Sequence, residues 1–98
     1  MRADADEAGR RRAAQNIAAP AASLLQGIAR VLCGDLDGGD VSLQDAVGTG
    51  EDIGVYPIIA DALCERSLVA MASNQWDRAE VMAGQASAAL REAGVEDI

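Results

Sequence analysis

Moved forty positions along itself, this chain of 98 residues meets its own pattern, and few folds allow that in so short a length. Ala22 falls on Ala62, Ile28 on Leu68, Leu36 on Trp76, Asp37 on Asp77, Asp40 on Glu80, Val41 on Val81 and Ala46 on Ala86. Gly27 meets Ser67 and Gly39 meets Ala79, small residue on small residue. Alanine is common enough to make any single match cheap. The weight lies in turn, cap and small positions agreeing in one register. A fixed period of this size means one helical pair written twice and stacked, a fragment of a solenoid.

Hydrophobic spacing fills in the pair. "AAPAASLLQGIARVLC" (18–33) carries Ala21, Leu24, Leu25, Ile28, Val31 and Leu32 at three- and four-residue steps, with Pro20 near its start and Gly34 just beyond its end. "DGGDVSLQDAVGTG" (37–50) places Val41, Leu43, Ala46 and Val47 on a weaker stripe, and "GEDIG" (50–54) reads as a loop. The plan then repeats. "YPIIADALCERSLVAMAS" (56–73) has Pro57 at a first helical position and an apolar set of Ile58, Ile59, Ala62, Leu63 and Val69. "NQ" breaks it, and "WDRAEVMAGQASAALREAG" (76–94) is an alanine-rich helix closed by Gly94. The expected fold is all-α, two antiparallel helical hairpins at 18–50 and 56–94 within a domain of 18–98, preceded by an arm or partial helix at 1–17.

The aspartates of "CGDLDGGDVSLQDA" (33–46) could pass for half of a calcium loop. An EF-type loop needs oxygen ligands at alternate positions, Gly at the sixth and a bidentate Glu at the twelfth. Counted from Asp35, the sixth residue is Asp40 and the twelfth is Ala46. The second copy has no calcium character, yet keeps the counterpart of Asp37. Asp37 and Asp77 are therefore expected as N-caps, with Asp40 and Glu80 three residues on as in a capping box. No metal and no cofactor is expected.

Composition narrows the function. The net charge is −8 and all eight basic residues are Arg, three of them in the run Arg10 to Arg12. Nucleic-acid binding depends on a basic face, so direct contact with DNA or RNA is not expected, nor is an anionic membrane surface. Histidine is absent, which removes the commonest general base and metal ligand. Ser67 thus has no activating neighbour, and no enzyme is expected. Cys33 and Cys64 lack CxxC spacing and read as small buried hydrophobes. Residues 1–20 contain no apolar run of a signal peptide, and no stretch is long enough for a membrane span. The expected compartment is the cytoplasm. The Arg-rich, Lys-free composition suggests a GC-rich bacterial genome.

In its small and large positions the chain resembles the tetratricopeptide class. Gly27, Leu36, Gly39, Leu43 and Ala46 stand in the places of that pattern, and Ser67, Trp76, Ala79, Ala83 and Ala86 repeat them. The resemblance implies close helix packing at the small residues, with Leu36 and Trp76 as plugs at the hairpin turns. The period of 40 is longer than the usual 34. "LLQGIARVLCGDLDGGDVSLQDAV" and "ADALCERSLVAMASNQWDRAEVMAGQASAALREAG" are similar to the helical-repeat region of large LuxR-type transcriptional regulators of the maltose-regulator class, over residues 18 to 95. In that family an ATP-binding module precedes the repeats and a DNA-binding helix-turn-helix follows. This chain has no phosphate-binding glycine loop ending in Gly-Lys-Ser or Gly-Lys-Thr, so neither the ATP site nor the DNA-reading helix transfers to any residue here. The role that carries over is to sense or relay a signal through protein or ligand contacts, within transcription regulation.

One face of the third helix holds Asp61, Cys64, Leu68 and Met71, the candidate partner surface in such a groove. Glu51, Asp52 and the terminal "EDI" read as solvated loop, and Arg10 to Arg12 as a solvated face or frayed end. Two hairpins leave apolar end faces uncovered. A further helix at 6–17 is expected to cover one end, and the other should promote self-association. The two functional expectations are a protein-interaction or signal-relay module and, as the alternative, a structural assembly protein whose helices pair with copies of themselves.

Overall fold

A computed structural model describes residues 2–94, with side chains from 17 to 94. Its described residues form four helices and no strand: α1 (Arg2–Leu32), α2 (Leu36–Ile53), α3 (Tyr56–Ala72) and α4 (Trp76–Glu92). Helix α1 pairs with α2 and α3 with α4, while α3 also packs on both α1 and α2. The fold is all-α, built as two hairpins in sequence.

The forty-residue register survives at the level of single hydrogen bonds. Helix α1 ends at Leu32 and α3 at Ala72, and α2 opens at Leu36 and α4 at Trp76. Asp35 N donates to Arg30 O and Gln75 N to Ala70 O, both at 2.8 Å. Gly34 N donates to Val31 O and Asn74 N to Met71 O, both at 3.0 Å. These paired bonds close each helix as a Schellman turn, which needs a left-handed residue one step past the cap. Gly34 (φ 90°) supplies it in the first hairpin and Asn74 (φ 60°) in the second. Glycine adopts this region freely and asparagine is among the side chains that tolerate it best.

Within each hairpin the helices cross at the small pair. A Cβ on Gly39 would lie 2.5 Å from Val31 Cγ2 and 3.0 Å from the carbonyl oxygen of Gly27. One on Gly27 would lie 2.6 Å from Leu43 Cγ. The backbones of α1 and α2 touch here because neither residue has a side chain. Forty positions on, the buried Ser67 fills the same place and its Oγ donates to Ala79 O at 2.8 Å. A hydroxyl thus holds in the second hairpin what bare backbone contact holds in the first.

Helix α3 seats in the groove of the first hairpin. Leu24, Leu43 and Ala46 from that hairpin meet Ala62 and Val69 of α3, flanked by Ile28, Val31, Leu36, Val47 and Ile58. Ile59, Ala60 and Leu63 pack with Ala86 and Ala89 of α4, and Val47 of α2 borders this second cluster. A polar clamp closes the junction. Arg66 Nε of α3 donates to Asp40 Oδ1 of α2 at 2.9 Å, and Arg78 Nη2 of α4 lies 3.5 Å from Asp40 Oδ2.

Several expectations need correction. Helix α1 does not start beside Pro20 but runs through it, so residues 6–17 are a continuation of α1 and not a separate helix; their side chains lie outside the described residues. Residues 2–17 thus run into the first hairpin without a break. Pro20 itself is fully buried. The "GEDIG" segment is no loop, since α2 continues to Ile53 and only Gly54 (φ 75°) turns the chain. The N-caps sit two residues earlier than expected. Asp35, not Asp37, caps α2 by accepting from Gly38 N at 2.9 Å, and Gln75, not Asp77, opens α4 without a side-chain cap. Asp37 and Asp77 lie in the first turns, where they suit the helix dipole. Asp40 faces arginines and takes no part in a capping box. Val41, expected in an apolar stripe, is 66% exposed. Arg10 to Arg12 and the terminal "EDI" lie outside the residues whose side chains are described.

Candidate functional site

Burial compared across the register isolates the face that stacking leaves open. Gly27 and Ser67, Gly39 and Ala79, Ser42 and Met82, and Ala46 and Ala86 are buried in both hairpins; Gly27 meets Gly39 at the first crossing and Ser67 meets Ala79 at the second. Another set is buried or half-buried only in the first hairpin. Leu24 and Leu43 are covered, while their mates Cys64 and Ala83 are exposed. Ile28 and Leu36 are half-buried, while Leu68 is 53% and Trp76 61% exposed. The difference has one cause: α3 covers the first hairpin and no described element covers the second.

The open positions form a trough along α3 and α4. One part is lined by Met71, Trp76 and Glu80, the other by Cys64, Leu68, Ser87 and Leu90, and both share Ser67 and Ala83 as floor and wall. Of the four residues expected on this face, Cys64, Leu68 and Met71 line the trough together, while Asp61 does not line it and is exposed on the same helix. Partial burial is the main force pushing the Cys64 thiol above its ordinary pKa, and the Asp61 and Glu65 carboxylates push the same way. Cys64 is therefore a poor thiolate at neutral pH.

Of the repeat positions, Gly27, Gly39, Ala46, Ser67, Ala79 and Ala86 are all buried. Leu36 is half-buried at the first hairpin turn and packs against the first core. Trp76 is not a plug: it stands at the mouth of the trough with most of its surface in water. A turn plug needs a following helix to press against it, and among the described residues only the first hairpin has one. Cys33 and Cys64 are both exposed, which corrects their reading as buried hydrophobes. Helical spacing alone does not mark Leu90, Ala83 and Ser87 as trough residues. The register held the signal, since their mates Gly50, Leu43 and Val47 sit under α3 or beside it.

A second open face lies at the opposite end. Ala18, Ala22, Leu25, Ala29 and Leu32 recur at helical spacing along one side of α1, and all are exposed, Leu25 at 66% and Leu32 at 81%. The register equates Ala18, Ala22 and Ala29 with Ile58, Ala62 and Val69, the residues by which α3 enters the first hairpin.

Polar groups elsewhere are committed to structure. Asp35 caps, Asp40 clamps, Asp45 Oδ2 accepts from Ser23 Oγ at 2.6 Å, and the Ser67 hydroxyl is held by Ala79 O. Among the described residues no three Cys, Asp or Glu side chains are grouped to hold a metal ion. No helix among them is long and apolar enough to cross a membrane. Compared with protein-family models, with curated proteins and with solved structures, the chain matches none.

Proposed function

We propose that this chain is a non-catalytic helical-repeat module that receives one helix of a protein partner in the α3/α4 trough. The observation that carries the reading is the exposure of Leu68, Trp76 and Leu90 at positions equivalent to those occupied by α3 in the first hairpin. A surface whose internal copy is a helix seat is shaped for a helix. The commitment of the Ser67 hydroxyl to a carbonyl, in a chain without histidine, supports the non-catalytic part. The similarity of the repeats to those of LuxR-type regulators supports a place in signal relay for transcription. A helix-turn-helix reading frame next to the gene would bear that out.

A synthetic peptide of residues 56–73, with Cys64 replaced by Ser, tests the seat directly. The peptide contains no Trp, so Trp76 is the sole reporter. Its emission should move to the blue on titration, and Leu68→Glu should abolish the change. Emission that stays that of a hydrated indole at saturating peptide would sink the reading.

A further inference from the structure

We propose that copies of this chain stack head to tail, with the α1 stripe Ala18–Ala22–Leu25–Ala29–Leu32 of one copy seated in the α3/α4 trough of the next. The inference rests on the trough being a helix seat and names its occupant.

The argument is continuity with the interface already inside the molecule. There, one side is the α3 set Ile58, Ala62 and Val69, and the other is the groove set Leu24, Leu43 and Ala46. Among the described residues, each end carries one unpaired half of that interface. The α1 stripe repeats the inserting half, and the trough repeats the receiving half.

Bulk is shifted along both halves of the interface. The trough has Ala83 where Leu43 stands and Cys64 where Leu24 stands, but Trp76 where Leu36 stands and Leu90 where Gly50 stands. The stripe has Leu25 and Leu32 at the positions of Glu65 and Ala72, but Ala18 and Ala29 at those of Ile58 and Val69. The clamp changes in step. Arg66 and Asp40 pair inside the chain, and their register mates are Gln26 and Glu80, both exposed. In the stack Gln26 reaches Glu80 as Arg66 reaches Asp40, an amide donor for a carboxylate.

Such an interface is heterologous, so it propagates unless the rotation closes a ring. Net charge of −8 opposes it, and added salt screens that repulsion. In sedimentation velocity the wild-type mass should rise with concentration past that of a dimer, more steeply at higher salt.

Two variants separate this geometry from its rivals. Leu25→Glu blocks the stripe and leaves the trough, whereas Leu68→Glu does the reverse; both residues are exposed, so each variant should keep its helical circular dichroism. Each alone should be monomeric. Mixed in equal amounts they should form a complex of twice the monomer mass and nothing larger, because one good trough then meets one good stripe. Persistent dimers of Leu25→Glu would mean trough-to-trough pairing and overturn the proposal, as would a mixture that stays monomeric. Should a variant unfold, Cys64 of the wild type gives the answer. Its alkylation should slow as protein concentration rises, and a rate independent of concentration overturns the stack. If the 56–73 peptide moves Trp76 emission while the wild type stays monomeric, this proposal fails and the helix seat stands.

Discussion

Gly39 illustrates how a missing side chain can hold two helices together. Its absent Cβ would strike Val31 Cγ2, but also the Gly27 carbonyl oxygen and the Val31 nitrogen at 3.0 and 3.2 Å, and backbone cannot swing aside. Two effects of opposite sign therefore meet in Gly39→Ala. Helix propensity favours alanine by about 0.5–1 kcal/mol, whereas overpacking a close crossing costs about 1–3 kcal/mol. Overpacking should win, and the urea midpoint should fall by an amount worth about 1–2 kcal/mol. Gly48 is the internal control. It is exposed within α2, and a Cβ there would meet nothing within 4 Å. Gly48→Ala should therefore raise the midpoint by about 0.5–1 kcal/mol. Equal shifts in both variants would mean that the crossing at Gly27 and Gly39 is not the closest contact of the hairpin.

Helix ends set the next scale, and here the two copies differ in a way that can be exploited. Both N-caps have nearly the same backbone, Asp35 at φ −89°, ψ 79° and Gln75 at φ −102°, ψ 68°. Only Asp35 caps with its side chain, since a glutamine is too long to turn back onto its own helix start. Asp35→Ala should cost about 1 kcal/mol, and Gln75→Asp should gain about as much, read by thermal unfolding. The weak Gln75 to Arg78 bond, 3.3 Å and exposed, subtracts little. Which residue caps was not legible in the sequence, because Asp37 and Asp77 match in the register while Asp35 and Gln75 do not. Backbone geometry places the cap; the register only shows where to look. The hairpin turns were legible, since Gly34 and Asn74 are among the few residues able to supply a left-handed step. The end of α2 was not. "GTGEDI" has the composition of a loop, yet Gly50 must be small to let Ile59 approach, and Thr49 Oγ1 returns a bond to Asp45 O at 2.8 Å. Tertiary packing overrides poor helix propensity there. Pro20 stays inside α1 for the same reason, as a helix interior can retain a proline that the fold buries.

At the scale of the whole molecule, the trough was legible only in part. Cys64, Leu68 and Met71 share a face by helical spacing alone, but Trp76, Ala83 and Leu90 join them only once burial is compared copy by copy. The same comparison says what a third hairpin would do. Residues 55–94 are one full period, so repeating them directly after Gly94 keeps every position in register, and leucine in place of the added copy's tryptophan leaves Trp76 the sole indole. Ile58, Ala62 and Val69 of the added unit would then meet Cys64, Leu68 and Ala83 of the original. Fully burying a large apolar side chain stabilises by roughly 1.5–3 kcal/mol. Leu68 and Trp76 start more than half exposed and Leu90 at 37%, so covering all three should add about 3 kcal/mol. The steeper denaturant slope of a longer chain proves nothing, because slope grows with the surface exposed. The midpoint and Trp76 are the diagnostic pair. Nearest-neighbour stacking requires the midpoint to rise and the Trp76 emission to shift to the blue, while one trough, now on the added hairpin, remains open. A tandem chain with the original midpoint and a hydrated Trp76 would mean that the two hairpins pack by a contact that does not repeat. The forty-residue period would then describe the helices without describing how they stack.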